Sequence, residues 1–183
     1  SASIGEQISL VRYFSKLNPD VLVIECMAVN PQYQWISEQK IIKSTIGVLT
    51  NVRPDHLDEM GYTMNDIAMS LSNSIPSNGK LIMHKDKFSE LFENIASSRK
   101  TEVKLVKPNR VNDSYMQKFN YFEHQENVEL ALAVCEELGI EKAVALKGIL
   151  KNTPDPGALV IWEIKINNNL NHFVSAFAAN DPQ

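Results

Sequence analysis

Four short strand-like runs punctuate the first 106 residues: Val21-Leu22-Val23-Ile24, Ile46-Gly47-Val48-Leu49, Leu81-Ile82-Met83 and Val103-Lys104-Leu105-Val106. Longer segments with apolar residues at helical spacing lie between them. Brief apolar runs of this kind read as strands buried on both faces. Parallel strands need a long crossover, usually a helix, so strict alternation of strand and helix constrains the chain to an α/β fold. The expected architecture is a mostly parallel sheet flanked by helices. Strands are predicted over 20–25, 45–50, 80–84 and 102–106, and helices over 4–17, 31–42, 64–75, 86–98, 127–138 and 141–150. Asn30 is placed to cap the second helix with Pro31 in its first turn, and Asp86 to cap the fourth. Residues 107–124 are polar and irregular, with a helical turn expected near 114–119. The tail reads as two strands, 159–166 and 172–178, around Asn167-Asn168-Asn169.

The 183 residues suffice for one domain with a real core and hardly for two. Hydrophobic content of 44% and charged content of 22% are those of an ordinary globular protein. A net charge of -4 offers no clustered basic face for nucleic acid. No apolar run approaches the roughly 18 to 20 residues that span a bilayer, and no signal peptide is visible. The two cysteines, Cys26 and Cys135, read as reduced, buried thiols of a cytosolic chain.

Chemistry concentrates where strands end. In open α/β sheets, ligands sit beyond the carboxyl ends of the strands. The run 20–24 ends on Glu25, and the run 46–49 leads into Asn51-Val52-Arg53-Pro54-Asp55-His56-Leu57-Asp58. A carboxylate after Val-Leu-Val-Ile must face solvent, a cation or donors, because burying it unpaired costs several kcal/mol or more. Asp55, His56 and Asp58 bring two carboxylates and an imidazole within four positions, and either carboxylate could fix the imidazole tautomer. Two neighbouring strand ends would then form one site. A solvated turn and a strand-end glutamate bonded to a helix terminus are the plainer readings. Spacing alone also allows a metal-dependent hydrolase built on Glu25, Asp55, His56 and Asp58. Asn127 reads locally as a helix N-cap, and Thr153-Pro154-Asp155-Pro156-Gly157 as a rigid turn. His84, His124 and His172 read as structural or surface residues, and Tyr33 and Trp35 as packing.

Together these segments resemble the Mur-ligase superfamily, ATP-dependent ligases that join an amino acid to a carboxylate. Within it they are most similar to the ligase subunits of bacterial poly-γ-glutamate synthases. The resemblance is carried by Glu25-Cys26-Met27-Ala28-Val29-Asn30-Pro31, by Asn51-Val52 with Asp55-His56-Leu57-Asp58 and Met60-Gly61, by Pro154-Asp155-Pro156-Gly157-Ala158, and by Phe177-Ala178-Ala179-Asn180-Asp181. It implies a central, P-loop ATPase-like domain over residues 1–181, with ATP and Mg²⁺ as cofactors. Glu25 and His56 match the family's magnesium ligands, Asn51 and Asp55 its site-shaping loop, Asn127 its adenine contact, and Asp181 an acidic residue near the ribose. It further implies glutamate and a growing polyglutamate chain as substrates, and membrane-bound capsule-synthase subunits as partners at the cytoplasmic face of the membrane.

The departures from the family are equally specific. No G-x-x-x-x-G-K-[ST] or shortened glycine-lysine loop occurs in these residues, so the phosphate-loop segment is expected upstream of residue 4 and the family's C-terminal domain downstream of Asp181. Ser70, Leu71 and Ser72 stand where many members carry a modified lysine, and Ala158, Leu159 and Val160 where an arginine often follows the Pro-Gly turn. The 183 residues are therefore expected to be inactive by themselves. Another ligase of the superfamily, acting on a peptidoglycan precursor or folate, and a non-catalytic assembly module remain the alternatives.

Overall fold

The structure, a computed structural model, describes residues 4–154 and 158–175. The chain divides into two compact units, Ser1–Val106 and Lys107–Gln183.

In the first unit, β1 (Ile46–Leu49), β2 (Lys80–His84) and β3 (Glu102–Val106) form a parallel sheet in that order. Ile46 stands opposite Lys80, and Lys80 opposite Glu102. The crossover from β1 carries α3 (Leu57–Met60), α4 (Met64–Leu71) and a 3₁₀ turn (Ser72–Ser74). The crossover from β2 carries α5 (Ser89–Ser98). Side chains alternate across a strand, so Leu81 and Met83 share one face, where they join Leu49, Ala68, Ile75, Phe88, Phe92 and Ala96 in the core. Ile82, on the opposite face, is buried too. Each fully buried aliphatic or aromatic side chain contributes roughly 1.5–3 kcal/mol. Gly47 permits close packing: a Cβ there would lie 2.7 Å from the Pro76 ring.

Local chemistry sets the helix ends. Thr63 and Asp66 form a capping box at the start of α4. Asp86, expected as the cap of α5, stands before it: Phe88 takes the N-cap position, and Asp86 accepts from the Phe88 amide at 2.8 Å in the turn that leads into the helix. Asn30 accepts from the Gln32 amide and caps α2 (Pro31–Ile36), as its position predicts. The helix expected over 31–42 continues from α2 as a π-helical turn (Ser37–Ile42), closed by the Lys43 amide donating to the Glu38 carbonyl five residues back. The Glu38 carboxylate, which accepts from both the amide and the hydroxyl of Ser44, holds this wide turn.

Three expectations for this unit are corrected. Residues 20–25 form no strand and pair with none of the described strands. Val21, Leu22, Val23 and Ile24 are exposed, Val23 at 89%. Burial depends on what covers a segment as much as on its own side chains, and nothing described covers this run. Tyr33 and Trp35 point outward, because the inward side of α2 is polar. Buried Gln34 donates to the Val29 carbonyl and accepts from the buried Ser70 hydroxyl, while the Lys40 ammonium sits 5.0 Å over the Trp35 ring. Cys26 is exposed, in company with the uncovered run before it, and Cys135 is half-buried; both are free thiols. The first helix, α1 (Ile4–Ser15), stops short of Asn18-Pro19 as predicted and receives a 2.9 Å hydrogen bond at Gln7 from the Ser37 hydroxyl.

In the second unit, α6 (Asp113–Met116), α7 (Gln125–Glu137) and α8 (Lys142–Ile149) pack around Val111, Tyr115, Val128, Leu132 and Ala145. The Tyr115 hydroxyl donates to the Leu146 carbonyl at 2.7 Å. Antiparallel strands β4 (Val160–Ile166) and β5 (Asn169–Ser175) flank a two-residue turn in which Asn167 and Asn168 both have positive φ. This type I′ geometry matches the twist of a hairpin and suits asparagine. It starts the second strand at 169, earlier than the predicted 172, while 176–178 lie outside the described residues. Asn127 is also corrected: it is the third residue of α7, and His124 takes the N-cap position. The helix starts early because Gln125 is anchored by its side chain, which donates to the Val111 carbonyl and to the buried carboxylate of Glu129.

Candidate functional site

The loop after β1 carries most of the predicted site. Asn51, Asp55 and His56 are all exposed on it. His56 stands at the N-cap of α3 with φ 42° and ψ 49°, a left-handed conformation that a side chain adopts at a cost. Its Nε2 lies 3.5 Å from Asp55 Oδ1, with both side chains about half exposed at 53%. Asp55, one of the two carboxylates considered, therefore neighbours the imidazole and leaves Nδ1 as the nitrogen able to face a cation. The loop closes at Gly61, whose φ of 111° and a would-be Cβ contact of 2.3 Å with Asp66 admit no side chain. Asp66 holds the far end of the loop through the Thr63 amide and hydroxyl, and these bonds draw its carboxyl below the ordinary 3.8.

Glu25 lies on the irregular segment before α2, exposed to solvent. The pairing of two adjacent strand ends is thus replaced by one strand end and one irregular segment. A hydrogen bond links the two stretches: Asn30 Nδ2 donates to Glu59 Oε2 at 3.0 Å, tying the end of the Glu25 segment to α3 of the His56 loop. Although Cys26 is exposed as a residue, its thiol is partly desolvated, and this first, then the charges of Glu38 and Glu25, push it above its ordinary value against the opposing Ala28 backbone bond.

A cleft of about 750 Å³ adjoins this loop, with Pro31, Asp58, Glu59, Tyr62 and Arg99 among its lining residues. The Arg99 guanidinium is engaged with the carbonyls of Ser72 and Ile75 at 2.9 and 2.7 Å, and desolvation lowers its pKa. In the second unit a groove of about 580 Å³ runs between α7 and α8, lined by Asn127, Val128, Ala131, Cys135, Val144 and Ile149. Asn127 donates to Glu123 at 3.3 Å at its edge. Asp181, residues 155–157 and the stretch 177–180 lie outside the described residues.

No three His, Cys, Asp or Glu side chains among the described residues converge on one cation position. A hydrolase centre on Glu25, Asp55, His56 and Asp58 has no such cluster to stand on. The requirement for Mg²⁺ is lighter, since Mg²⁺ takes one or two protein ligands and completes its shell with phosphate oxygens and water. One carboxylate and one imidazole suit that need. The residues that sequence reasoning missed, Asn30 as a bridge and Glu59 as its acceptor, left no signal, because their spacing of 29 follows no helical or strand period.

The model of the Mur ligase middle domain matches residues 2–155. The chain is 40% identical over 179 residues to PGA synthase CapB of Bacillus subtilis (strain 168), covering 98% of this chain and 46% of that protein. It is 39% identical over 180 residues to capsule biosynthesis protein CapB of Bacillus anthracis, covering 98% of this chain and 39% of that one. The chain thus spans less than half the length of these relatives. No solved structure matches it. With its parallel sheet, its Asp-His loop beyond β1 and a family match over most of its length, the chain belongs to the Mur ligase middle domain family.

Proposed function

We propose that this chain is the nucleotide-handling part of an ATP-dependent ligase that polymerises glutamate through its side-chain carboxylate, as in capsule synthesis. The observation that carries this reading is the 40% identity to a PGA synthase over 98% of the chain. In the proposed reaction a carboxylate of the growing polyglutamate chain attacks the γ-phosphate of ATP, the bond to the β,γ-bridging oxygen breaks, and ADP leaves to give an acyl phosphate. The α-amine of an incoming glutamate then displaces phosphate and leaves an amide. The first step brings anion to anion, so positive charge and fixed geometry are its main needs. Glu25 and His56 would hold Mg²⁺, which when bound neutralises phosphate charge and orients the oxygens.

Asp55 sits close enough to fix the His56 ring, and Asn51 is exposed on the same loop. Asn127 is proposed as the adenine contact: a mostly apolar groove with the amides of Asn127 and Asn152 among its lining suits a heteroaromatic base with a polar edge. Asp181 is proposed near the ribose. Membrane-bound capsule-synthase subunits are the proposed partners and the cytoplasmic face of the membrane the proposed location. None of the described helices is long and apolar enough to cross a membrane.

The test is glutamate-dependent ATP hydrolysis by the full-length protein. Glu25→Ala and His56→Ala are expected to abolish it, and near-normal turnover in either variant removes that residue from the site. Hydrolysis stimulated by muropeptides or folates in place of glutamate would assign the chain to another branch of the superfamily.

A further inference from the structure

Asn30 uses both ends of its side-chain amide. The oxygen accepts from the Gln32 amide at 3.0 Å and caps α2, and the nitrogen donates to Glu59 Oε2 at 3.0 Å on α3. The two stretches so joined are those that carry the proposed magnesium ligands. Glu25 lies five residues before Asn30, on a segment that pairs with none of the described strands, and His56 three residues before Glu59, on an exposed loop. Residues 20–29 have no ladder with the described strands to hold them, and the side-chain bond at their end ties this segment to the loop. The bond is charge-assisted, and so about twice as strong as a neutral one.

We propose that the Asn30–Glu59 hydrogen bond is a positioning clamp, which sets the Glu25 segment against the His56 loop so that both can serve one magnesium–triphosphate group. This inference rests on the reading of Glu25 and His56 as magnesium ligands. Neither clamp residue touches the reacting atoms; each acts through the placement of the stretch that it anchors. The cleft beside α3 has Pro31 and Glu59 among its lining residues, so the clamp lies at its wall.

The chemistry allows the bond to be broken and rebuilt with its polarity reversed. Aspartate is as good an N-cap as asparagine, so Asn30→Asp preserves the start of α2 while placing a carboxylate against Glu59. Glu59→Gln leaves a carbonyl to accept from Asn30. In the double variant the introduced glutamine amide on α3 donates to the introduced aspartate carboxylate at the α2 cap, and the bond returns in the opposite sense.

The full-length protein is assayed for the Mg²⁺ concentration that half-saturates glutamate-dependent ATP hydrolysis. Loss of a partner that orients a ligand typically costs 10–100-fold in metal affinity, so Asn30→Asp is expected to raise this concentration about 10-fold while α2, still capped by the aspartate, stays folded at the assay temperature. Glu59→Gln stays within about 3-fold, since a neutral hydrogen bond replaces a charge-assisted one. The double variant recovers to within about 3-fold of the parent, a coupling that independent structural damage does not produce. Amide hydrogen exchange at residues 57–61, measured without magnesium or nucleotide, accelerates in Asn30→Asp and slows again in the double variant. Unchanged exchange in Asn30→Asp overturns the clamp. So does altered exchange with an unaltered magnesium requirement, or a double variant no better than Asn30→Asp. If Glu25→Ala and His56→Ala keep their turnover, the site reading falls and the clamp's role with it, and the exchange pattern still shows separately whether the bond holds the loop.

Discussion

His56 carries a measurable conformational cost, and removing its side chain in two ways isolates it. The residue sits at φ 42°, ψ 49° and is half exposed, so its side chain contributes little packing to offset the backbone. A left-handed residue with a Cβ costs roughly 1–2 kcal/mol, a cost that alanine keeps and glycine escapes. Glycine gives back roughly 0.5–1 kcal/mol through the larger freedom of its unfolded chain. His56→Gly should therefore be more stable than His56→Ala by about 0.5–1 kcal/mol. For a unit of this size each kcal/mol shifts the midpoint by about 4–8 °C, so the expected gap is about 2–8 °C. Trp35 reports the first unit once Trp162, the other tryptophan of the chain, is replaced by phenylalanine. Thermal unfolding followed by Trp35 fluorescence in that background provides the comparison. Both variants lack the imidazole, so its lost contacts cancel. An alanine variant that melts at or above the glycine variant refutes the strain.

Thr63→Ala removes half of the capping box and should destabilise the first unit by about 1 kcal/mol in denaturant titrations. Gly61→Ala combines the Asp66 contact with a φ of 111° and should cost at least about 1–3 kcal/mol in the same measurement. Because the Thr63 bonds lower the folded-state value of Asp66, its stabilisation is present above the ordinary 3.8 and disappears as pH falls through the lower folded value. Asp66→Asn should accordingly flatten the acid limb of stability against pH. Tyr115 has the opposite sign: desolvation first, and Tyr121 second, raise its phenol above 10.0, so stability is full below that pH and falls as pH rises through the folded value. Tyr115→Phe should weaken that alkaline loss in the second unit.

The parts of the fold that were legible are those fixed by local chemistry. Strands 80–84 and 102–106 were readable to the residue, because apolar side chains end at Gly79, Asp86 and Lys107. The hairpin turn was readable from three asparagines, two of which adopt the positive φ that the residue tolerates. Val21 to Ile24 misled for a physical reason: their side chains suit a buried strand, but a strand exists only as half of a ladder. The burial of Gln34 left no signal, since an amide on a helix flanked by Tyr33 and Trp35 gave no hint of its bond to Ser70, 36 positions on. In the site, the Asp55–His56 proximity followed from their adjacency. The bridge from Asn30 did not, because the helix cap already accounted for that residue.

The loop beyond β1 can be weighed against the plainer reading of a solvated turn by asking what holds it. A solvated turn needs only its own residues. This one is fixed by a left-handed His56 at one end of α3 and by a glycine-only Gly61 at the other. Asp66 closes it from α4 through Thr63, and Asn30 grips it from a different segment through Glu59. Strain of this kind persists only where the surroundings over-determine the backbone. Such restraint adds little to the core, because Asn51, Asp55, His56 and Asp58 are all exposed. What it secures is the position of polar side chains beyond a strand end, and a fixed set of exposed donors and acceptors is what a ligand requires and a turn does not.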